Sequence, residues 1–409
     1  MPGSISFTKA FVAVYLGFFL SFSLYELNEG ISRKEILSES AAKDTRLPES
    51  IEQMASVGRV FAGEQCKGTW IDRSSLPQNR SEAIELLDRL SELGVNAIFP
   101  ETFSRTAAVC YESSVAPLDE SFHPDEDLLE ILIEEAHLRG IEVHAWCWCL
   151  CSGTAYRPGP MVMRHPSWLG VNMDGNRFSR SGSFWLCPHG EGMHYLKKAL
   201  LELARNYDLD GINLDYIRVE ENDKAPFCMC SKCRASYFDY VDGNRTVIWP
   251  PSPRNPTYLR WRSGLLDGFV GSLSRELRQV NPNLAVSACV LPLARKARLL
   301  EGQNWQAWLT EGYLDFACAL TYTSNPKRSK RWNEVIAAHR RQGYQLLPSL
   351  GLHLCKEKEA NAAKMLANCL DSDLGGVMLF SLRDIPPLIE KTLQTKEFKA
   401  SFGEMASIR

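Results

Sequence analysis

Residues 208–218 read Asp-Leu-Asp-Gly-Ile-Asn-Leu-Asp-Tyr-Ile-Arg. Strand alternation puts Ile212 and Leu214 on one face and Asn213 and Asp215 on the other. The polar face therefore ends in a carboxylate, followed at once by an aromatic (Tyr216) and a guanidinium (Arg218). In a parallel (β/α) barrel the C-terminal ends of the strands form the catalytic rim, so this segment predicts a site there.

Working outward, from Lys67 the chain repeats one unit: an amphipathic helix, a Gly or Asn stop, a short apolar strand and a polar loop. Strands are expected at 68–72, 95–101, 141–148, 211–216, 284–291, 314–322, 344–351 and 375–382. Eight parallel strands alternating with helices close a (β/α)8 TIM barrel, which fixes the fold class as α/β. Helical spacing recurs at Ile84, Leu87 and Leu90, at Leu129, Leu132, Ile133 and Ala136, and at Leu196, Ala199, Leu200 and Leu203. Gly94, Gly140 and Gly343 stand where helix C-termini need a left-handed residue, and Asn281-Pro282 stops another helix. A doubly wound open sheet competes, but no glycine-rich phosphate loop follows the first strand.

Composition is consistent with one large core. The 409 residues are 45% hydrophobic with a formal net charge of -3, which gives no global basic excess for nucleic acid. Residues 10–25 are an uncharged apolar run after Lys9, expected to be an export signal or signal anchor. At 16 residues the run is below the roughly 20 that span a bilayer comfortably. A polar linker over 26–58, a barrel over 59–395 and a C-terminal tail over 396–409 complete the expected organisation. That places the barrel outside the cytoplasm, with membrane contact only through the N-terminal segment if it is not cleaved.

Five stretches resemble the glycosyl hydrolase-like 10 family, over roughly residues 60–390. They are GTWIDRSS (68–75), EEAHLRGIEVHAW (134–146), HPSWL (165–169), DLDGINLDYIR (208–218) and LDFACALTYT (314–323). The resemblance implies a barrel related to carbohydrate-cleaving enzymes, without naming a sugar.

Glycoside hydrolysis needs one carboxylic acid to protonate the leaving oxygen and a second carboxylate as nucleophile or base. Asp215 is the first choice and Glu101, ending the second strand, its partner. Asp72, ending the first strand, is expected to bind substrate or shape the rim. Glu101 could instead hold sugar hydroxyls, and Asp215 could cap the loop or pair with Arg218. No acid ends the fifth or sixth strand. Sugar sites also carry aromatic walls. Trp146 and Trp148 share a strand face with His144, and with Trp185, Tyr216, Arg218 and Tyr322 they are the expected substrate-binding set.

The thirteen cysteines include Cys147, Cys149 and Cys151 and the cluster Cys228, Cys230 and Cys233. The hydrolytic reading needs no cofactor. The second cluster could hold structural zinc, but a closed site needs four ligands and no second C-x-x-C follows. Loop-pinning disulfides remain the alternative there, and buried thiols are expected at Cys289, Cys318 and Cys369. Asn79 and Asn244 sit in glycosylation sequons. A nucleophile elbow, an H-E-x-x-H helix and a P-loop are all missing. The basic cluster Lys327, Arg328, Lys330 and Arg331 reads as a solvated helix face. Two functions stand: an exported glycoside hydrolase cleaving a poly- or oligosaccharide, and a barrel of the same fold that binds glycans without cleaving them.

Overall fold

A computed structural model describes residues 65–393 apart from 123–125, 180–181, 220–226, 242–247, 356–358, 371–373 and 382–386. The apolar run 10–25, the linker, the C-terminal tail and the Asn244 sequon lie outside the described residues. Among those described, no helix is long and apolar enough to cross a membrane.

The helices begin where the side chains can satisfy the orphan N–H groups of a first turn. Asn79 caps α1 (Arg80–Glu92) by accepting from Glu82 N, and Asp127 caps α2 (Leu128–His137) by accepting from Leu129 N and Glu130 N. Asn255-Pro256 and Asn325-Pro326 repeat one device at the starts of Pro256–Val280 and Pro326–Arg340: an Asn cap with proline at the first helical position. The Asn79 sequon side chain is thereby engaged as a cap. The stops behave as their glycines require, with φ of 72° at Gly94, 67° at Gly140 and 95° at Gly343.

Between these helices run β1 (Cys66–Ile71), β2 (Ala97–Phe103), β3 (Glu142–Trp148), β6 (Gly211–Asp215), β7 (Ala285–Val290), β8 (Phe316–Leu320), β9 (Leu346–Gly351) and β10 (Gly376–Phe380). They pair in parallel in that order, and β10 closes on β1 with Cys66 opposite Gly376. All eight expected strands are present, most trimmed by a residue or two at their ends. β2 differs: it starts later and runs on to Phe103, so Glu101 lies within it beside a register shift, not at its end. An antiparallel hairpin of β4 (Cys151–Thr154) and β5 (Ser183–Trp185), unanticipated from the sequence, stands on the rim after β3.

The lumen is filled in layers. His144 is fully buried and stacks on Phe99 at 4.7 Å, with Phe316 edge-on at 5.8 Å. Above it Asn213 accepts from Trp70 Nε1 at 3.3 Å and donates to Ser287 Oγ at 2.8 Å. The glycine of the DGIN segment has a steric reason. A Cβ on Gly211 would sit 2.1 Å from His144 Nδ1 and 2.9 Å from the carbonyl oxygen of Ala285. Gly211→Ala is therefore expected to cost about 1–3 kcal/mol by forcing His144 out of its layer. Urea denaturation measures it, and an unchanged midpoint would contradict this packing.

Candidate active site

Asp215 ends β6 and is 8% exposed. A carboxylate taken out of water needs donors, and two are supplied. Trp146 Nε1 donates to Oδ2 at 3.1 Å, and the backbone N–H of Tyr216 donates to Oδ1 at 2.7 Å. Burial nevertheless raises the Asp215 pKa, against the opposing pull of Arg218 and these two donors.

The donor residue Tyr216 is also the site of a strained turn. Tyr216 has φ of 49°, a left-handed conformation that is rare for a bulky residue. Such strain costs on the order of 1–3 kcal/mol and persists only where the surroundings enforce it. Here a column of side chains does so. The Arg218 guanidinium lies over the Tyr216 ring at 4.1 Å, Tyr216 stacks on Trp148 at 4.3 Å and 11°, and Arg105 lies over Trp148 at 5.8 Å. The strand end is tied down as well, since Cys149 N donates to the Asp215 carbonyl and Leu150 N to that of Tyr216.

Glu101 is level with Trp146 on the neighbouring strand and remains partly accessible. Its carboxylate accepts from the backbone N–H of Arg73 at 2.9 Å. Burial outweighs that bond and, with Asp72 nearby, pushes the pKa up to about 7. Burial thus raises both acids, Asp215 against two donors and the pull of Arg218, and Glu101 to about 7.

The remaining expected residues divide. Trp185 joins the wall, 5.8 Å from Tyr216. Tyr322 stacks against Phe380 at 5.6 Å, and Phe380 reaches Trp146 edge-on at 5.9 Å, so the aromatic arc runs from the hairpin round to β10. Tyr322, Phe380 and His353 pack on one another and are only partly buried. Trp146 and Trp148 are 2% and 5% exposed, with the Trp146 indole N–H bonded to Asp215 and the Trp148 ring stacked on Tyr216. They position Asp215 and Tyr216 and do not offer a free face to a sugar. His144 is a lumen-packing residue below the rim, bonded to Glu142 at 2.9 Å. Asp72 accepts from Ser74 N at 3.0 Å as the cap of the turn Arg73–Ser75, and from Ser381 Oγ at 3.1 Å, which is a rim-shaping role.

Sequence reasoning missed Glu301. It lies eleven residues past β7, yet its carboxylate comes 3.4 Å from Arg218 Nε, with both side chains buried. No periodicity marks it, because two short helical turns, Ala294–Lys296 and Ala297–Glu301, bring it back to the rim. Its backbone carbonyl also accepts from Val219 N, so it orients Arg218 and the start of the β6 loop. Phe380 and His353 were missed because their strand ends carry no charged residue. None of the thirteen cysteines forms a disulfide.

Comparison with known proteins agrees with the barrel fold. Residues 65–348 match the model of the Glycosyl hydrolase-like 10 family. The chain belongs to that family. It is 26% identical over 157 residues to Glycosyl hydrolase YngK of Bacillus subtilis (strain 168), a match covering 34% of this chain and 28% of that protein. It is 24% identical over 152 residues to Glycosyl hydrolase DigH of Escherichia coli (strain K12), covering 32% and 33%. The matches thus span about a third of these relatives. Among solved structures, α-L-fucosidase isoenzyme 2 from Paenibacillus thiaminolyticus superposes with a TM-score of 0.59 at 14% identity, covering 84% of this chain and 50% of that one. The catalytic domain of β-amylase from Paenibacillus polymyxa gives 0.56 at 12%, covering 81% and 95%. At these identities the likeness is one of fold, that of a glycoside hydrolase barrel.

Glu101 carries a pH signature. The folded chain holds its proton up to about 7, against 4.5 for an ordinary glutamate, so the folded state binds the extra proton between those values. The resulting stability is full below about 4.5 and lost as pH rises toward 7. Wild type should therefore lose on the order of 2 kcal/mol relative to Glu101→Gln across that window. Urea denaturation of both proteins at pH 4.5 and 8 measures it, and a pH-independent difference would contradict the placement of this group.

Proposed function

We propose that this chain hydrolyses O-glycosidic bonds of a poly- or oligosaccharide, with Asp215 as the ionised carboxylate and Glu101 as the proton donor. The observation that carries the reading is the pairing of environments at one rim. Burial raises both, but Asp215 is tied by Trp146 and Tyr216 and drawn back toward its ionised form by Arg218, whereas Glu101 rises to about 7. In the oxocarbenium-like transition state, positive charge develops on the sugar ring and negative charge on the leaving oxygen. A fixed carboxylate beside the first and a protonated acid beside the second are what that charge separation calls for. The partly open aromatic surfaces of Phe380 and Tyr322 support a carbohydrate ligand, since pyranose faces pack on aromatic surfaces. The raffinose complex of a GH36 α-galactosidase from Geobacillus stearothermophilus, a barrel with a TM-score of 0.52 at 9% identity, supports the ligand class by analogy of fold.

On a substrate identified by screening polysaccharides with reducing-end detection, Asp215→Asn should lower kcat by at least ~10²-fold with folding intact. Glu101→Gln should do the same and flatten the basic limb of the pH profile. Wild-type turnover by the Asp215 variant would overturn the assignment. Loss of apparent affinity alone in the Glu101 variant would reassign that acid to hydroxyl binding. If no polysaccharide is cleaved while oligosaccharides still bind the cleft, the barrel is a glycan-binding protein.

We further propose that residues 10–25 export or anchor the barrel, which places a polysaccharide within its reach. Cell fractionation should find it outside the cytosol, and full-length chain soluble in the cytosol with Met1 intact would rule this out.

A further inference from the structure

Cys228, Cys230 and Cys233 fall on the return leg of the β6 loop and the start of the helix Ser231–Tyr240. The fourth sulfur that their spacing lacks comes from 41 residues earlier in the chain. Cys187, two residues past the end of β5, places Sγ 3.6 Å from Cys230 Sγ and 3.6 Å from Cys233 Sγ. The sulfurs of Cys187, Cys228, Cys230 and Cys233 all lie within 4.8 Å of one another. We propose that these four thiolates form a tetrahedral structural zinc site that clamps the hairpin to the β6 loop.

The dimensions decide between the candidate chemistries. A disulfide needs sulfurs about 2.05 Å apart, far closer than any contact here. A zinc tetrathiolate with bonds of about 2.3 Å has tetrahedral edges of about 3.8 Å, close to the two contacts above. Three of the four cysteines are buried, and thiols are weak donors and acceptors, so their convergence gains little as hydrogen bonding alone.

The surroundings are those of thiolate ligands. The backbone N–H of Val171 donates to Cys228 Sγ at 3.1 Å, and that of Cys233 donates to Cys230 Sγ at 3.4 Å. Donors to the sulfurs are the usual outer support of a metal site, spreading the charge that four thiolates bring to a divalent ion. Cys230 is the N-cap of the helix Ser231–Tyr240 and Cys233 lies in its first turn, where the helix dipole favours negative charge. All four positions are taken by protein sulfur, so the site is closed and its role is structural.

Its position gives it a task at the rim. Cys187 follows Trp185, and Cys228 ends the loop that begins at Tyr216. Met229 N also bonds the Val171 carbonyl at 2.7 Å, so a metal here would join the segment carrying Trp185 to the one that begins at Tyr216, with Val171 bonded alongside. The proposal does not depend on hydrolysis, because metal content is read directly.

The test uses the untagged full chain, purified without chelators. Elemental analysis should find one zinc per chain, released in step with titration of thiols by a mercurial. Cys187→Ser should lower zinc content by at least ~10-fold, whereas Cys369→Ser, on a distant helix, should retain it. If Cys187→Ser does not fold, the wild-type chain exchanged with cobalt decides. Intense sulfur-to-cobalt charge-transfer bands with the visible bands of a tetrahedral ion support four thiolate ligands. A chain that purifies without metal, carries iron instead, or yields a disulfide-linked peptide containing Cys187 overturns the proposal.

Discussion

The constraint on which the rim depends is the burial of one carboxylate. Removing Asp215 from water without partners would cost several kcal/mol, and each charge-assisted N–H bond returns about 1.5–3 kcal/mol. One donor comes from the neighbouring strand, through Trp146, and the other from the next residue along the chain. The residue that gives the second donor, Tyr216, is itself in a left-handed conformation. The buried carboxylate, the strained turn and the stacked column that holds it are therefore adjoining parts of one strand end.

That loop is then secured from its far side. Glu301 fixes Arg218, which covers the Tyr216 ring, and so links the loop after β7 to the carboxylate on β6. The β4–β5 hairpin brings Trp185 against Tyr216 from the opposite direction. Hairpin and loop meet again at the four sulfurs, so the rim is braced at both ends of the 216–228 segment. The lumen below contributes rigidity of another kind, with His144 occupying the space that Gly211 leaves open.

The barrel was legible in the sequence because its strands are apolar runs set off by capped helices, and because lumen residues obey a two-residue period. DLDGINLDYIR announced Asp215 at a strand end for the same reason. What stayed hidden is tertiary. The hairpin strands, CSGT and SFW, are too short and too mixed to stand out against their loops. Cys187 and Glu301 act through partners 43 and 83 positions away in the chain, distances at which local pattern carries no signal. The tryptophans show the limit most clearly. Alternation put Trp146 and Trp148 on the correct face, but only packing reveals that they serve the carboxylate and the tyrosine, while the more open aromatic surfaces belong to Tyr322 and Phe380.

The account's central claim is that the Asp215 rim is a carbohydrate-cleaving site with Glu101 opposite. A crystal structure of the Asp215→Asn protein with a bound oligosaccharide substrate tests it most directly. The account predicts an intact glycosidic linkage lying between the residue 215 side chain and Glu101, its oxygen within hydrogen-bond reach of the Glu101 carboxyl and a sugar ring against Tyr322 or Phe380. An oligosaccharide seated elsewhere on the barrel, or one in the cleft whose linkage oxygens lie beyond reach of Glu101, would contradict it.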